Sequence, residues 1–209
     1  MPPVDRRQHL IDTARDLFMR RPYEQVTTSE IAKAAGVAYG LIAHHFENKR
    51  GLYLAVMSAI ADELLANRDA PLASGTLHDQ LRHALTNHIT FIDKHSASFV
   101  AIITGGLGAD PDMRAMVDAL RWSGAQRILD GLGLAAPIPP AVRTTMRGWV
   151  GYLDEMMIDR ITHADIAIDS LVELAAANLV TSLRTALQLD STGVASTTVE
   201  IVETLHREL

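Results

Sequence analysis

The sequence predicts an all-α fold, and three observations carry that prediction. Apolar residues return every three or four positions through most of the chain. Glycine and proline punctuate it at intervals suited to helix ends, and almost no stretch alternates apolar with polar side chains as a half-buried strand would. At 209 residues, 48% of them hydrophobic, the chain is long enough to bury a sizeable core in one or two domains. The pattern divides it into an N-terminal helical domain over 4–64 and a longer helical domain over 65–209.

Each element has its own justification. From Asp5 to Arg20 the spacing of Leu10, Ile11, Ala14, Leu17 and Phe18 makes one apolar stripe, ending at Arg21-Pro22. Thr27 with Glu30 three residues on is a capping-box start for a short helix near Thr28, with Ile31, Ala32 and Ala35 on its inner face. Gly36 stands where the chain needs positive φ, Val37 plugs the corner, and a second short helix runs from about Ala38 to His45. Asn48 is a natural N-cap for a helix that carries Leu52, Tyr53, Val56, Ile60 and Leu64 out to about Asn67. Pro71 to Gly75 breaks the pattern.

After Thr76, Leu77, Leu81, Ala84, Leu85, His88 and Ile92 share one helical face, followed by a short apolar segment from Ala97 to Thr104. Gly105 to Gly108 is a break that no helix tolerates easily. Asp110-Pro111 restarts a helix through Met113, Met116, Val117, Leu120 and Ile128, which Gly131 to Pro140 ends. Two long helices follow, about 141–161 and 166–187. Gly148 and Gly151, three apart, permit close approach on the first, and Ala176, Val180 and Leu187 widen the apolar arc of the second. The tail from Asp190 ends in a short amphipathic helix that either caps the bundle or frays.

Charge refines the picture. The net charge of −6 argues at first against a nucleic-acid partner. Residues 1–52, however, hold 8 Lys/Arg and 6 Asp/Glu, net +2, leaving −8 for the remainder. There is no cysteine, so disulfide and thiolate chemistry are excluded. The N-terminus has no apolar signal-like core, and no apolar run approaches the ~18 residues of a membrane span. A cytoplasmic protein with no membrane partner is expected.

Thr27 to Phe46 therefore reads as a helix-turn-helix, whose second helix conventionally enters the major groove. With Arg7, Leu10, Ile11, Ala14, Leu17, Phe18 and Tyr23 before it and Phe46, Asn48, Lys49, Gly51 and Leu52 after it, the stretch resembles the DNA-binding domain of the tetracycline-repressor (TetR) family. The likeness covers about the first 60 residues at motif level, and the remainder in layout only. Thr27 and Thr28 sit where hydroxyls, backbone N–H groups and a helix dipole meet phosphate. Ala38, Tyr39, Gly40 and Leu41 fall on the reading turn, and His44, His45, Lys49 and Arg50 beside the backbone. The chain departs from the family at Pro22, where glycine is usual, and at Ala38 and Ala43, where hydroxyl side chains are common. The loss of those hydroxyls shifts anchoring to His44, Lys49 and Arg50.

For the second domain the resemblance implies an effector cavity, with Phe91, His95, Phe99, Met113, Met116, Trp122, Trp149, Tyr152 and Met156 as candidate lining groups, each equally a core side chain. The composition favours a small, largely apolar effector with one or two polar anchors. The resemblance also implies a homodimer through the two long helices, a palindromic double-stranded DNA operator, and repression relieved by the effector. A hinge falls at Gly105 to Gly108, with an ordinary loop as its rival. No cofactor, metal or catalytic site is expected: His78, His83 and His88 are spaced five apart and cannot converge, and Asp154, Glu155 and Asp159 lack a nucleophile. Two other readings stay open, a helical adaptor or interaction protein and an all-α enzyme using the C-terminal cavity.

Overall fold

The computed structural model describes residues 5–66, 75–105, 110–134 and 137–208. Among these the chain forms α-helices joined by turns and no strand: α1 (Arg6–Phe18), α2 (Thr28–Ala34), α3 (Gly40–Phe46), α4 (Lys49–Ala66), α5 (Leu77–Lys94), α6 (Ser96–Thr104), α7 (Pro111–Gly131), α8 (Pro140–His163), α9 (Ile168–Leu189) and α10 (Ser196–Glu208). Contacts group them into two compact units. Unit 1 is Met1–Arg68 with Ala97–Asp118; unit 2 is Asp69–Ser96 with Ala119–Leu209. The grouping differs from a linear division at 64/65, because 97–118 joins the N-terminal helices.

In unit 1, α1 packs on α2 and α4, and α3 packs on α2 and α4. Leu10, Ile31, Ile42, Leu52, Met57 and Ile60 are buried among them. Helix α1 stops at Phe18, two residues short of the expected Arg20, since Pro22 is extended (φ −52°, ψ 146°) and a single 3-10 turn over Tyr23–Gln25 follows it. Thr27 caps α2 by accepting from the Glu30 amide at 3.2 Å. The reciprocal half of the expected capping box is replaced, because Arg21 Nη2 donates to the Glu30 carboxylate at 2.5 Å. Gly36 has φ +63°, the left-handed conformation its place in the turn requires. Asn48 caps α4 through the Gly51 amide at 3.0 Å.

Gly51 is fixed by packing. A Cβ there would lie 2.0 Å from the Phe46 carbonyl oxygen, so the first turn of α4 presses directly on the end of α3. The next residues continue the contact. Tyr53 meets the rings of Phe18 and Tyr23, each at 4.9 Å between centroids, and a Cβ on Gly105 would lie 2.7 Å from the Tyr53 hydroxyl. The hinge expected at Gly105 to Gly108 falls, beyond Gly105, outside the described residues, as does most of the connection from Pro71 to Gly75.

Unit 2 is a bundle in which α9 packs on α5, α8 and α10. Thr76 and Asp79 form a complete capping box at the start of α5, and Pro140 opens α8 at its first turn. The inner face of α5 is Leu85, Ile89 and Ile92, while Leu77, Ala84 and His88 keep accessible surface, so the stripe is rotated from the expected one. The wide apolar arc of α9 is consumed inside the chain: Ala176, Val180 and Leu187 are buried, and α10 covers part of this helix with Val202 and Leu205. The tail thus caps the bundle, pinned by Arg184 to Glu203 at 3.0 Å and by Thr198 to the Gly133 carbonyl at 3.3 Å. Breadth of α9 is no argument for a second copy of the chain.

Gly51→Ala should destabilise the chain by roughly 2–3 kcal/mol, because neither the α3 carbonyl nor the α4 turn can withdraw without breaking a helix end. Thermal melting followed by circular dichroism reads this, and an unchanged melting temperature would refute the contact.

Candidate nucleic-acid interface

The reading turn is built by contrast between the two sides of α3. Ile42 and Phe46 point inward at 2% and 6% exposure, which leaves Ala38, Tyr39, Gly40, Ala43 and His44 on the outer side. Tyr39 is 60% exposed although it is a large aromatic, and it precedes the first helical residue with no side-chain cap of its own. Leu41 and His45 are half-buried, so of the expected contact residues these two lean toward packing. The rings of His44 and His45 lie edge to face at 4.9 Å.

Gly40 is informative for what surrounds it. An added Cβ meets nothing within 4 Å, and its φ lies outside the left-handed region. Neither packing nor backbone conformation within the chain calls for glycine there, and helix propensity opposes it by ~1 kcal/mol relative to alanine. An absent side chain on the outermost turn leaves the backbone open to close approach by a partner.

Thr27 and Thr28 stand beside this turn. Thr28 donates from its hydroxyl to the Tyr39 hydroxyl at 3.4 Å, which ties the start of α2 to the aromatic on the start of α3. Lys49 and Arg50, expected to act alike, do different things. The Lys49 ammonium sits 4.1 Å above the Tyr23 ring, a cation–π contact that holds the charge at the first turn of α4. Burial pushes the Tyr23 phenol above its usual pKa, with Arg50 working against the shift. Arg50 is turned to Asp110, with Nε to Oδ2 at 2.6 Å and Nη2 to Oδ1 at 2.9 Å, and to Asp112 at 2.5 Å. In this arrangement its guanidinium faces carboxylates. Arg7 lies 5.2 Å above the Phe46 ring.

The residues expected to line an effector cavity are divided between the units. Phe99 and Met113 are buried and Met116 half-buried in unit 1. In unit 2, Trp149 is a core residue: its indole donates to the Ala175 carbonyl of α9 at 3.0 Å, and it is 3% exposed. Tyr152 stands on the outer side of α8 at 36% exposure. Phe91 and His95 stack at 4.1 Å, the His95 ring also bonding the Phe91 carbonyl. Trp122 is covered by Arg147 at 5.6 Å, and Met156 is half-buried. His88 is a polar candidate outside that set. Its side chain keeps accessible surface on α5. Desolvation, with repulsion from Arg127, lowers its pKa to about 4. The pattern around it gave no sign of this, since His88 falls on what reads as the buried stripe of α5.

Among the described residues, no group of three His, Asp or Glu side chains is placed to hold a metal ion. Among the same residues, no helix is long and apolar enough to cross a membrane. Asp154 is buried on α8, where desolvation raises its pKa, opposed by its bond to Arg121 at 2.7 Å.

Two short helices joined by a glycine turn, the second buried on its inner face and open on its outer one, make the arrangement of helix-turn-helix proteins. The profile described as "Bacterial regulatory proteins, tetR family" matches residues 10–56, and that described as "Tetracyclin repressor-like, C-terminal domain" matches residues 77–181. The chain belongs to the tetR family of bacterial regulatory proteins.

Its fold is similar to that of a tetR-family transcriptional regulator from Streptomyces coelicolor, at TM-score 0.77 and 26% identity, over 98% of this chain and 90% of that one. Over 135 residues it is 30% identical to the HTH-type transcriptional regulator BetI of Klebsiella pneumoniae, covering 63% of this chain and 68% of the relative. Over 118 residues it is 31% identical to the HTH-type transcriptional activator FasR of Mycolicibacterium smegmatis, covering 56% and 54%. The chain thus spans between about half and two thirds of the length of these curated relatives.

Two substitutions separate the contacts. Gly40→Ala should leave the fold intact, raise its stability by up to about 1 kcal/mol and weaken DNA binding, as read by melting and by fluorescence anisotropy on a labelled duplex. Lys49→Ala should weaken binding about equally across DNA sequences and reduce the salt slope by about 1.

Proposed function

We propose that this chain is a ligand-responsive, DNA-binding transcriptional regulator, a cytoplasmic repressor that holds a near-palindromic operator as a homodimer and leaves it when a small, largely apolar effector binds. The observation that carries the reading is the exposed Tyr39–Gly40 turn in a chain of this family, where a side chain is displayed and the next is missing for no internal reason. Thr27 and Thr28 then offer uncharged donors to phosphate, and Lys49 adds charge just beyond the end of the reading helix. The function asked of the chain is recognition and coupling, with no catalytic step.

Dimerisation is supported by α8 and α9, though by a different face from the broad one. Gly148 and Gly151 meet nothing within 4 Å where a Cβ would stand, Tyr152 is 36% exposed beside them, and Leu174 on α9 is 49% exposed. Such a face, small on one helix and apolar on both, suits a symmetric helix pair. Two readers related by the dyad would then meet successive major grooves about 34 Å apart. Activation is the second reading, favoured by the activator FasR among the relatives.

The test is a titration of the purified protein against DNA from immediately upstream of its own gene, with an unrelated fragment as competitor and salt varied. Preferential, salt-sensitive binding by a dimer is the expected result; the absence of binding to either fragment at low salt would overturn the reading. Gly148→Leu should shift the dimer toward monomer in light scattering while helix content stays unchanged, because the chain itself has room for the side chain. A dimer that survives it uses another face.

A further inference from the structure

Arg50 lies in the first turn of α4, which Gly51 presses against the last carbonyl of α3. It is therefore within a few residues of the reading helix and next to Lys49. Its Nε and Nη2 donors are nevertheless engaged, by both oxygens of Asp110 and one of Asp112. Asp110 is also the N-cap of α7, accepting from the Asp112 amide at 2.9 Å and the Met113 amide at 3.4 Å, and its side chain is only 12% exposed. Asp112 is 66% exposed. One carboxylate suffices to tie the two helix starts. The second adds little to folding, as exposed ion pairs do, and it leaves the trio with a net charge of −1 on a surface adjoining the reader.

Two carboxylates gripping one arginine present the oxygen geometry that a phosphate presents to a guanidinium. Resting on the DNA-binding reading above, we propose that Asp110 and Asp112 are an internal mimic of the DNA backbone: they hold Arg50 in one state of the chain and yield it to a phosphate in the other. The start of α7 thereby controls one backbone contact of the reader. Helix α7 is continuous from Pro111 to Gly131, and its later residues belong to unit 2, so a shift of that helix has a covalent route to the Arg50 partners. Because the guanidinium exchanges one set of oxyanions for another, the arginine contributes little net affinity while the carboxylates are present.

The test uses full-length protein and a random-sequence duplex, with binding constants measured across a range of salt. Asp110→Asn with Asp112→Asn keeps a capping side chain at position 110 and removes both charges. Expected is a gain of about tenfold in affinity and a salt slope steeper by about 1 per protomer, one phosphate contact each. Arg50→Gln combined with the two asparagines should abolish the gain. Affinity unchanged or lowered in the double variant overturns the proposal, and so does a gain that persists without Arg50, which would be plain removal of negative charge. Lys49→Ala separates the levels. If it weakens binding while the asparagine variants do nothing, the reader stands and the mimic falls; if no variant and no wild-type protein binds duplex at low salt, the DNA-binding reading falls and the mimic with it. Melting curves of the Asn variants that match the wild type keep the comparison one of binding.

Discussion

The contact between Gly51 and the Phe46 carbonyl governs how the reader is held. With a Cβ position only 2.0 Å from that oxygen, α3 and α4 meet backbone to backbone, and no side chain cushions the joint. A seven-residue helix such as α3 has little stability of its own. It keeps its shape because Ile42 and Phe46 are buried beneath it and because α4 fixes its end. The adjoining residues extend the constraint. Tyr53 locks the same turn to Phe18 and Tyr23, Lys49 rests on Tyr23, and Arg50 reaches the start of α7.

Local chemistry was legible in the sequence because it involves neighbours along the chain. Thr27, Asn48, Thr76 and Asp110 cap helices through amides two or three residues away, and Gly36 takes the positive φ its position requires. Partners far along the chain were not legible. Glu30 fits a capping box by spacing, yet Arg21 reaches it from the preceding turn and wins it, because a charged donor outbids a backbone amide. Arg50 has the neighbours of a phosphate anchor and finds its carboxylates sixty residues on. Trp149 looks like a pocket aromatic in composition, but its indole N–H needs an acceptor once buried, and the Ala175 carbonyl supplies one across α9. The width of the α9 arc misleads for a related reason: apolar breadth counts neighbours without saying whose they are, and α10 of the same chain accounts for part of it.

Glycines divide into those the fold explains and those it does not. Gly51 and Gly105 are crowded by backbone or by a tyrosine hydroxyl, and Gly36 is dictated by its φ. Gly40, Gly148 and Gly151 have open space where a side chain would stand and ordinary helical backbone. Each weakens its helix with no return inside the protein. That deficit is the shared physical basis of the two proposals, a DNA contact at the first turn of α3 and a second copy at α8, although they concern different partners.

Electrostatics then limits how the reader can work. The chain carries −6 overall, with only +2 over its first 52 residues. That small surplus is offset by carboxylates from beyond residue 52: Arg15 pairs with Glu63 and Arg50 with two aspartates. Long-range attraction to any duplex is correspondingly weak, and screening at physiological salt cuts it off within ~8 Å. On the proposed reading, affinity comes from contacts made only on close fit, for which Thr27, Thr28, Tyr39 and the Lys49 ammonium over Tyr23 are the candidates. Weak non-specific attraction costs the protein some speed in locating its site but sharpens the ratio of specific to non-specific binding, which is the quantity a genome full of competing sequence selects for. For such a reader, withholding one arginine changes the occupied fraction more than it would on a strongly basic surface, where one charge among many is lost in the background.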